Sequence, residues 1–223
     1  MAYICDVART VMIPWTGGEV SGRLIGDSRD GILLAHGAGT NQDHPFMVKL
    51  RDALAEAGHT VLTFNYPYTE RGSKSPDRAE KLVVCHKAVA DHLRPKVERL
   101  FLAGRSMGGR IGTYVVAEGE PADGLILYAY PLHPSGKPKK LRIDQFADIE
   151  IPMLFFQGTR DALSRTDLFD THIRPLPNAD VELLDGASHA FSGGGWTPET
   201  MVTRLVEGTS SWIAAISSGR TTR

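Results

Sequence analysis

The chain reads as an α/β fold: a mostly parallel central sheet flanked by helices on both faces, with an N-terminal antiparallel hairpin. Three observations lead there. Short, continuous apolar runs at residues 31–35, 61–64, 100–103, 124–128, 151–156 and 181–184 suit strands covered on both sides. They alternate with longer stretches whose apolar residues recur at helical spacing, the pattern of βαβ units. At residues 99–110 (R-L-F-L-A-G-R-S-M-G-G-R) one apolar run passes through a tight, glycine-flanked turn into an amphipathic segment.

Taken in order, residues 8–14 and 18–26 are extended runs separated by Trp15-Thr16-Gly17-Gly18, a turn signal, and predict the hairpin. The run 31–35 ends in His36-Gly37-Ala38-Gly39. Asp43 is the expected cap of a helix with Pro45 in its first turn. Phe46, Met47, Leu50, Leu54 and Ala57 form the apolar face of that helix, and Gly58 stops it. After strand 61–64, a loop rich in Tyr, Pro, Gly and Ser leads to Ser75-Pro76-Asp77, read as a cap with proline at the first helical position. That helix runs to about Leu93, before Pro95. The strand–turn–helix of 99–116 follows, then strand 124–128, loop 130–150, strand 151–156 and strand 181–184. A closing helix begins at Thr197-Pro198-Glu199, with Met201, Val202, Leu205, Val206, Trp212 and Ile213 on its apolar face. Residues 217–223 read as a frayed polar tail.

The sequence shows no repeat, linker or low-complexity tract, so residues 1–223 are expected to form a single domain with an ordered core over about 8–216. A chain of this size buries about 70% of its unfolded surface. The connection from Tyr128 to Ile151 is too short for a helical cap domain, so the site should be open. A net charge of -1 with 23% charged residues offers no field of one sign for nucleic acid or an anionic membrane. No apolar run approaches the roughly 20 residues that span a bilayer, and Asp6 and Arg9 interrupt any signal-peptide core. With only Cys5 and Cys85, no disulfide framework is expected and a cytoplasmic location is the default.

The chemistry begins at Gly104-Arg105-Ser106-Met107-Gly108, a match to G-x-S-x-G in strand–turn–helix context, where the motif denotes a nucleophile elbow. Glycines at 104 and 108 remove Cβ atoms that would strike neighbouring backbone. The Met107 N–H opens the next helix as a free donor. An elbow serine needs a base, and the base needs an orienting acid. In open parallel sheets these groups gather at the C-terminal ends of strands. Asp161 follows strand 151–156 in Q-G-T-R-D, and His189 follows strand 181–184 in D-G-A-S-H-A-F. Asp185 lies too close to His189 in the chain to approach from a neighbouring strand. His59 precedes a strand, His86 and His92 fall within a helix, and His172 lies between elements. His44 belongs to a helix start. No close-spaced metal-ligand motif is present, so no metal or cofactor is expected. The Ala38 N–H, in the loop after the third strand, is the expected second oxyanion donor beside that of Met107.

These segments resemble the α/β-hydrolase superfamily, in which nucleophile, acid and histidine follow in that chain order, and within it the cap-less dienelactone-hydrolase-like members. His36-Gly37-Ala38-Gly39, Asp43-His44-Pro45-Phe46-Met47, Phe64-Asn65-Tyr66-Pro67-Tyr68, Ser106-Met107-Gly108-Gly109-Arg110, and Tyr130-Pro131-Leu132-His133-Pro134 with Gly136-Lys137-Pro138 are similar to the branch containing testis-expressed protein 30 and the hydrolase-like domain of NSL complex subunit 3. The resemblance spans about residues 30–215 and implies the fold and the triad. Dienelactone hydrolases proper use a cysteine where this chain has Ser106, so their substrate does not transfer.

The expectation is a serine hydrolase acting on a small-molecule ester or thioester. A non-catalytic interaction module and a cofactor-free perhydrolase are the alternatives. Tyr66, Tyr68 and His133 follow strand ends and are candidates to line the substrate pocket. Arg105 and Arg160 flank two of the candidate residues. Lys137, Lys139, Lys140 and Arg142 read as a solvated basic loop, and Gly193-Gly194-Gly195 as a mobile loop or a plain connection.

Overall fold

The computed structural model describes residues 7–219. Strands β1 (Arg9–Trp15) and β2 (Gly18–Ile25) form the antiparallel hairpin, with Trp15 opposite Gly18. Then come β3 (Asp30–Ala35), α1 (Pro45–Glu56), β4 (Thr60–Phe64), the single turn α2 (Pro67–Glu70) and α3 (Ala79–Leu93). β5 (Arg99–Arg105), α4 (Met107–Ala117), β6 (Gly124–Tyr128) and β7 (Met153–Gly158) follow. The chain closes with α5 (Thr166–His172), β8 (Ala179–Leu184) and α6 (Pro198–Ser217).

The eight strands form one sheet in the order β1-β2-β4-β3-β5-β6-β7-β8. The hairpin joins through an antiparallel β2–β4 pairing, and every pairing from β4 to β8 is parallel. Because successive side chains of a strand point to opposite faces, each central strand feeds two cores. Leu33, Leu102, Leu125, Leu127 and Phe155 pack with α3, α4 and α5. Ile32, Leu34, Phe101, Ile126 and Phe156 pack with α1 and α6. This double burial is why the strands are continuously apolar rather than alternating. It also fixes the strand ends, where the site lies.

Several boundaries differ from the sequence reading. The cap of α1 is His44, whose Nδ1 accepts from the Phe46 N–H at 3.3 Å, while Asp43 turns to Arg23 at 3.5 Å. Helix α3 starts at Ala79 rather than after Ser75. The Asp77 carboxylate is taken by Arg71 (2.8 Å) and Lys81 (3.4 Å), which ties it to the preceding loop. β7 begins after Pro152, which has no N–H for the ladder. β8 begins earlier, at Ala179, where its backbone already pairs with Met153 of β7; the polar Asp180 on this less buried strand hides that start from an apolar pattern. Residues 166–172, with only Leu168 and Phe169 apolar, carry no helical pattern yet form α5, of which His172 is the last residue. Residues 130–150 hold only a 3₁₀ turn, Asp144–Asp148, and no cap domain. The closing helix begins as read, with Thr197 and Thr200 forming a reciprocal capping box. Cys5, Asp6 and residues 220–223 lie outside the described residues, and Cys85 is fully buried.

Candidate active site

Ser106 occupies the turn between β5 and α4 with φ 51° and ψ -113°, a conformation costly for any residue but glycine. Its N–H donates to the Tyr128 carbonyl at 2.8 Å, which ties the turn to the end of β6. The glycines around it permit the turn. A Cβ on Gly104 would lie 2.3 Å from Gly109 N, and one on Gly108 would lie 2.4 Å from the Ala35 carbonyl oxygen. Helix α4 thus sits directly against the ends of β3 and β5.

His189 and Asp161 reach Ser106 from the next loops along the sheet. Ser106 Oγ lies 2.8 Å from His189 Nε2, and His189 Nδ1 lies 2.7 Å from Asp161 Oδ2. The Asp161 side chain is fully buried. Its Oδ1 accepts from the Leu163 N–H (2.7 Å) and its Oδ2 also accepts from Gln157 Nε2 (2.7 Å). A carboxylate that accepts from Nδ1–H leaves Nε2 as the acceptor facing the serine hydroxyl.

The two loops are stitched together. Thr159 N donates to the Leu184 carbonyl (3.1 Å), Arg160 N to that of Ala187 (2.9 Å), and Gly186 N to Thr159 Oγ1 (2.8 Å). Gly158 lets them touch, since a Cβ there would lie 2.3 Å from the Ala187 carbonyl oxygen. The loop bearing Gly193, Gly194 and Gly195 is packed rather than free: a Cβ on Gly194 would lie 2.4 Å from the Asp185 carbonyl oxygen, and Trp196 Nε1 donates to that same oxygen at 2.9 Å. Phe191 is buried against Phe46 with ring centroids 5.8 Å apart.

Ala38, Ser106 and Met107 line one cleft of about 290 Å³, with Leu82, Pro131 and Leu163 among its apolar walls. A separate hollow of about 890 Å³ lies by β2 and α1; none of Ser106, Asp161 and His189 lines it. Among the described residues, the Ala38 and Met107 N–H groups donate to no protein acceptor. His36 holds their loop: its Nδ1 faces the Gly37 carbonyl at 2.8 Å, and its Nε2 accepts from the Tyr66 N–H at 3.2 Å.

Three residues expected to line the pocket do not. Tyr66 is fully buried, with its hydroxyl 3.0 Å from His86 Nδ1. Tyr68 is fully buried as well and donates to the Gly37 carbonyl at 3.4 Å. His133 is buried, with Nδ1 3.0 Å from the Pro134 carbonyl and Nε2 accepting from the Arg165 N–H at 3.3 Å, so it clamps two loops. The apolar bodies of these side chains are better satisfied under the loops than at the surface. Arg160 is exposed. Arg105 donates to the His189 carbonyl at 3.2 Å and stacks over Phe46 at 5.3 Å, which braces the histidine loop. Gln157, His36, Arg110 and Arg142 also belong to the site, though no motif in the sequence marks them as such. A polar residue inside an otherwise apolar strand was the available signal for Gln157.

The alpha/beta hydrolase domain family model matches residues 28–214. The chain belongs to that family. Among solved structures, the hydrolase domain is similar to Est1E from Butyrivibrio proteoclasticus (TM-score 0.74, 15% identity, 92% of this chain and 99% of that one). XC6422 from Xanthomonas campestris, described as a serine hydrolase without lid, superposes with TM-score 0.72 at 20% identity over 92% of this chain and 95% of its own. A dienelactone hydrolase from Anabaena variabilis gives TM-score 0.72 at 18% identity over 94% and 98%. The shared architecture is the lid-free fold with its open, mostly parallel sheet.

Proposed function

We propose that the protein is a serine hydrolase that cleaves a carboxylic ester or thioester through an acyl-enzyme. The observation that carries the reading is the unbroken hydrogen-bonded chain from Ser106 Oγ through His189 to Asp161, at 2.8 and 2.7 Å. Ser106 Oγ attacks the carbonyl carbon as His189 Nε2 takes its proton. Asp161 holds the ring by Nδ1–H and stabilises the cation that forms. The tetrahedral oxyanion is met by the N–H groups of Met107 and Ala38. Collapse breaks the bond to the leaving group, which receives the proton from Nε2. Water, deprotonated by His189, then attacks the acyl carbon; Ser106 leaves with that proton, and a carboxylic acid is released.

The esterase Pf2001 from Pyrococcus furiosus, similar in fold, supports ester chemistry as the first class to test. The narrower kinship with the testis-expressed protein 30 branch belongs to the same proposal and rests on the motifs given above. A cytoplasmic location also belongs to it. It is supported by the sparse cysteine content. No described helix is long and apolar enough to cross a membrane.

Labelling with a fluorophosphonate probe, alongside a panel of acyl esters and thioesters, tests the reading. Labelling and turnover that both disappear in Ser106→Ala support it. A folded protein that takes no label and turns over no ester points to an interaction module instead. Turnover that appears only with peroxide points to a perhydrolase.

A further inference from the structure

We propose that the substrate carries an anionic group, a carboxylate or a phosphate, held between the guanidinium groups of Arg110 and Arg142. This rests on the hydrolase reading and narrows its substrate class. Both arginines line the cleft that holds Ser106 and Met107. Both also line an adjoining hollow of about 410 Å³, with Lys140 and Tyr114 on its wall. Together they form the partition between the reacting serine and a basic outer rim. Arg110 lies one helical turn beyond Ser106, and its N–H donates to the Ser106 carbonyl at 3.1 Å.

The pair lacks a counter-charge. Arg23, Arg29, Arg51, Arg71, Arg94, Arg99, Arg165, Arg174 and Arg204 each meet a carboxylate, whereas Arg78, Arg105 and Arg160 form no ion pair among the described residues. Among the described residues, Arg110 and Arg142 form no ion pair. Arg110 Nε is buried with no hydrogen-bond partner, and its guanidinium lies 5.9 Å from the Tyr114 ring. Arg142 spends one donor on the Pro131 carbonyl at 3.2 Å, and burial, then the charge of Arg110, makes its protonated form harder to hold. Among the described residues, one carboxylate lines the Ser106 cleft, that of Asp77: its Oδ1 accepts from Arg71 and Lys81, while its Oδ2 is buried without a hydrogen-bond partner. Asp144 stands exposed on the outer hollow. Two half-buried cations lining the same cleft are costly in the free protein and are relieved when an oxyanion arrives. Arginine's planar fork suits the two oxygens of a carboxylate or phosphate.

Two matched pairs of substrates test this on the whole protein. The first is the mono-4-nitrophenyl ester of adipic acid against its neutral methyl diester analogue, with buffer hydrolysis subtracted. The second is an acyl-coenzyme A thioester against the same acyl group on N-acetylcysteamine. The expected result is a kcat/KM about 10- to 100-fold higher for the charged member of at least one pair, and the pair that responds distinguishes carboxylate from phosphate. The ratio should fall toward one in Arg110→Gln/Arg142→Gln and hold part of its value in Arg142→Lys. Fluorophosphonate labelling of Ser106 reports that each variant is folded. Discrimination near one in both pairs by a wild-type protein that labels and turns over would overturn the anion site alone, as would an undiminished ratio in the folded double variant. Absence of labelling in the folded wild type would instead remove the hydrolase reading itself, and this inference with it.

Discussion

The Tyr66 N–H donates to His36 Nε2 across 3.2 Å, and the other ring nitrogen of His36 faces the Gly37 carbonyl at 2.8 Å. A carbonyl only accepts, so Nδ1 carries the proton and the ring is neutral. It joins the loop bearing Ala38 to the end of β4. Burial, partly offset by the bond to Gly37, pushes its pKa down to about 4. His86, beneath Tyr66, is pushed by burial to about 3. Both folded values lie below the ordinary 6.5, so the unfolded chain binds the protons first as pH falls. Stability is therefore full above about pH 7 and is lost on acidification through 6.5. Each histidine contributes a loss of about 2 kcal/mol by pH 5. Urea unfolding at pH 7 and pH 5 should show it, with His36→Gln reducing the loss by about 2 kcal/mol, the share of one histidine; His44, His59 and His92, also lowered by burial, add to what remains. A wild-type midpoint that does not move between those pH values would refute the assignment.

Gly108 and Gly112, on the same helix, should respond oppositely to alanine. A Cβ on Gly108 meets the Ala35 carbonyl oxygen at 2.4 Å and the His36 carbonyl oxygen at 2.7 Å, both backbone atoms that cannot step aside. On Gly112 the nearest atom is a Leu125 methyl at 3.6 Å, an ordinary contact. Gly108→Ala should cost roughly 3 kcal/mol or more, or prevent folding, as overpacking against backbone does. Gly112→Ala should be neutral or stabilise by up to about 1 kcal/mol through helix propensity. Denaturant midpoints of the two variants decide this, and equal effects would show that α4 does not press on β3.

Much of the architecture was open to reading because burial on both faces demands uninterrupted apolar runs, as in β3 and β6. The hairpin was legible for a different reason, its Thr16-Gly17 turn. Ser106, Asp161 and His189 could be picked out by their places just beyond strand ends, whereas the distances among them required the fold. Side-chain burial was the harder matter. Tyr66 and Tyr68 looked like pocket residues because they follow a strand, yet both rings are enclosed under the loop. Arg142 sat in what read as a solvated basic run, but the 3₁₀ turn after it folds the segment back so that its guanidinium reaches the cleft. Helix α5 escaped notice because only Leu168 and Phe169 among its residues are apolar.

Gln157 shares Asp161 Oδ2 with the imidazole, each donating at 2.7 Å. Removing the amide while keeping the volume, as in Gln157→Leu, strips a hydrogen bond to a charged group, worth about 1.5–3 kcal/mol. Under the proposed mechanism kcat/KM should fall by roughly tenfold or more with little change in KM. Asp161→Asn should be far more severe, on the order of 10⁴ in kcat, because the imidazole would lose its tautomer. Kinetics on one activated ester with both variants would check the ranking. A Gln157→Leu loss as large as that of Asp161→Asn would mean the amide does more than hold the carboxylate.

The Ala38 N–H offers the sharpest test of the oxyanion assignment, because a backbone donor can be removed only by changing the residue to proline. Ala38 is exposed, and its N–H has no protein acceptor among the described residues, so Ala38→Pro sacrifices no native hydrogen bond there. Proline fixes its own φ at about -65° and pushes the preceding residue toward extended backbone; Gly37 is the residue best able to comply. The native loop also keeps its anchor from His36 Nδ1 to the Gly37 carbonyl, at 2.8 Å. One oxyanion donor lost costs about 10²–10³ in kcat, so the variant should unfold at nearly the wild-type temperature while turning over at that reduced rate. The Met107 N–H remains, so turnover should stay above that of Ser106→Ala. A folded Ala38→Pro protein with wild-type kcat would remove Ala38 from the oxyanion hole and leave the Ser106–His189–Asp161 chain untouched.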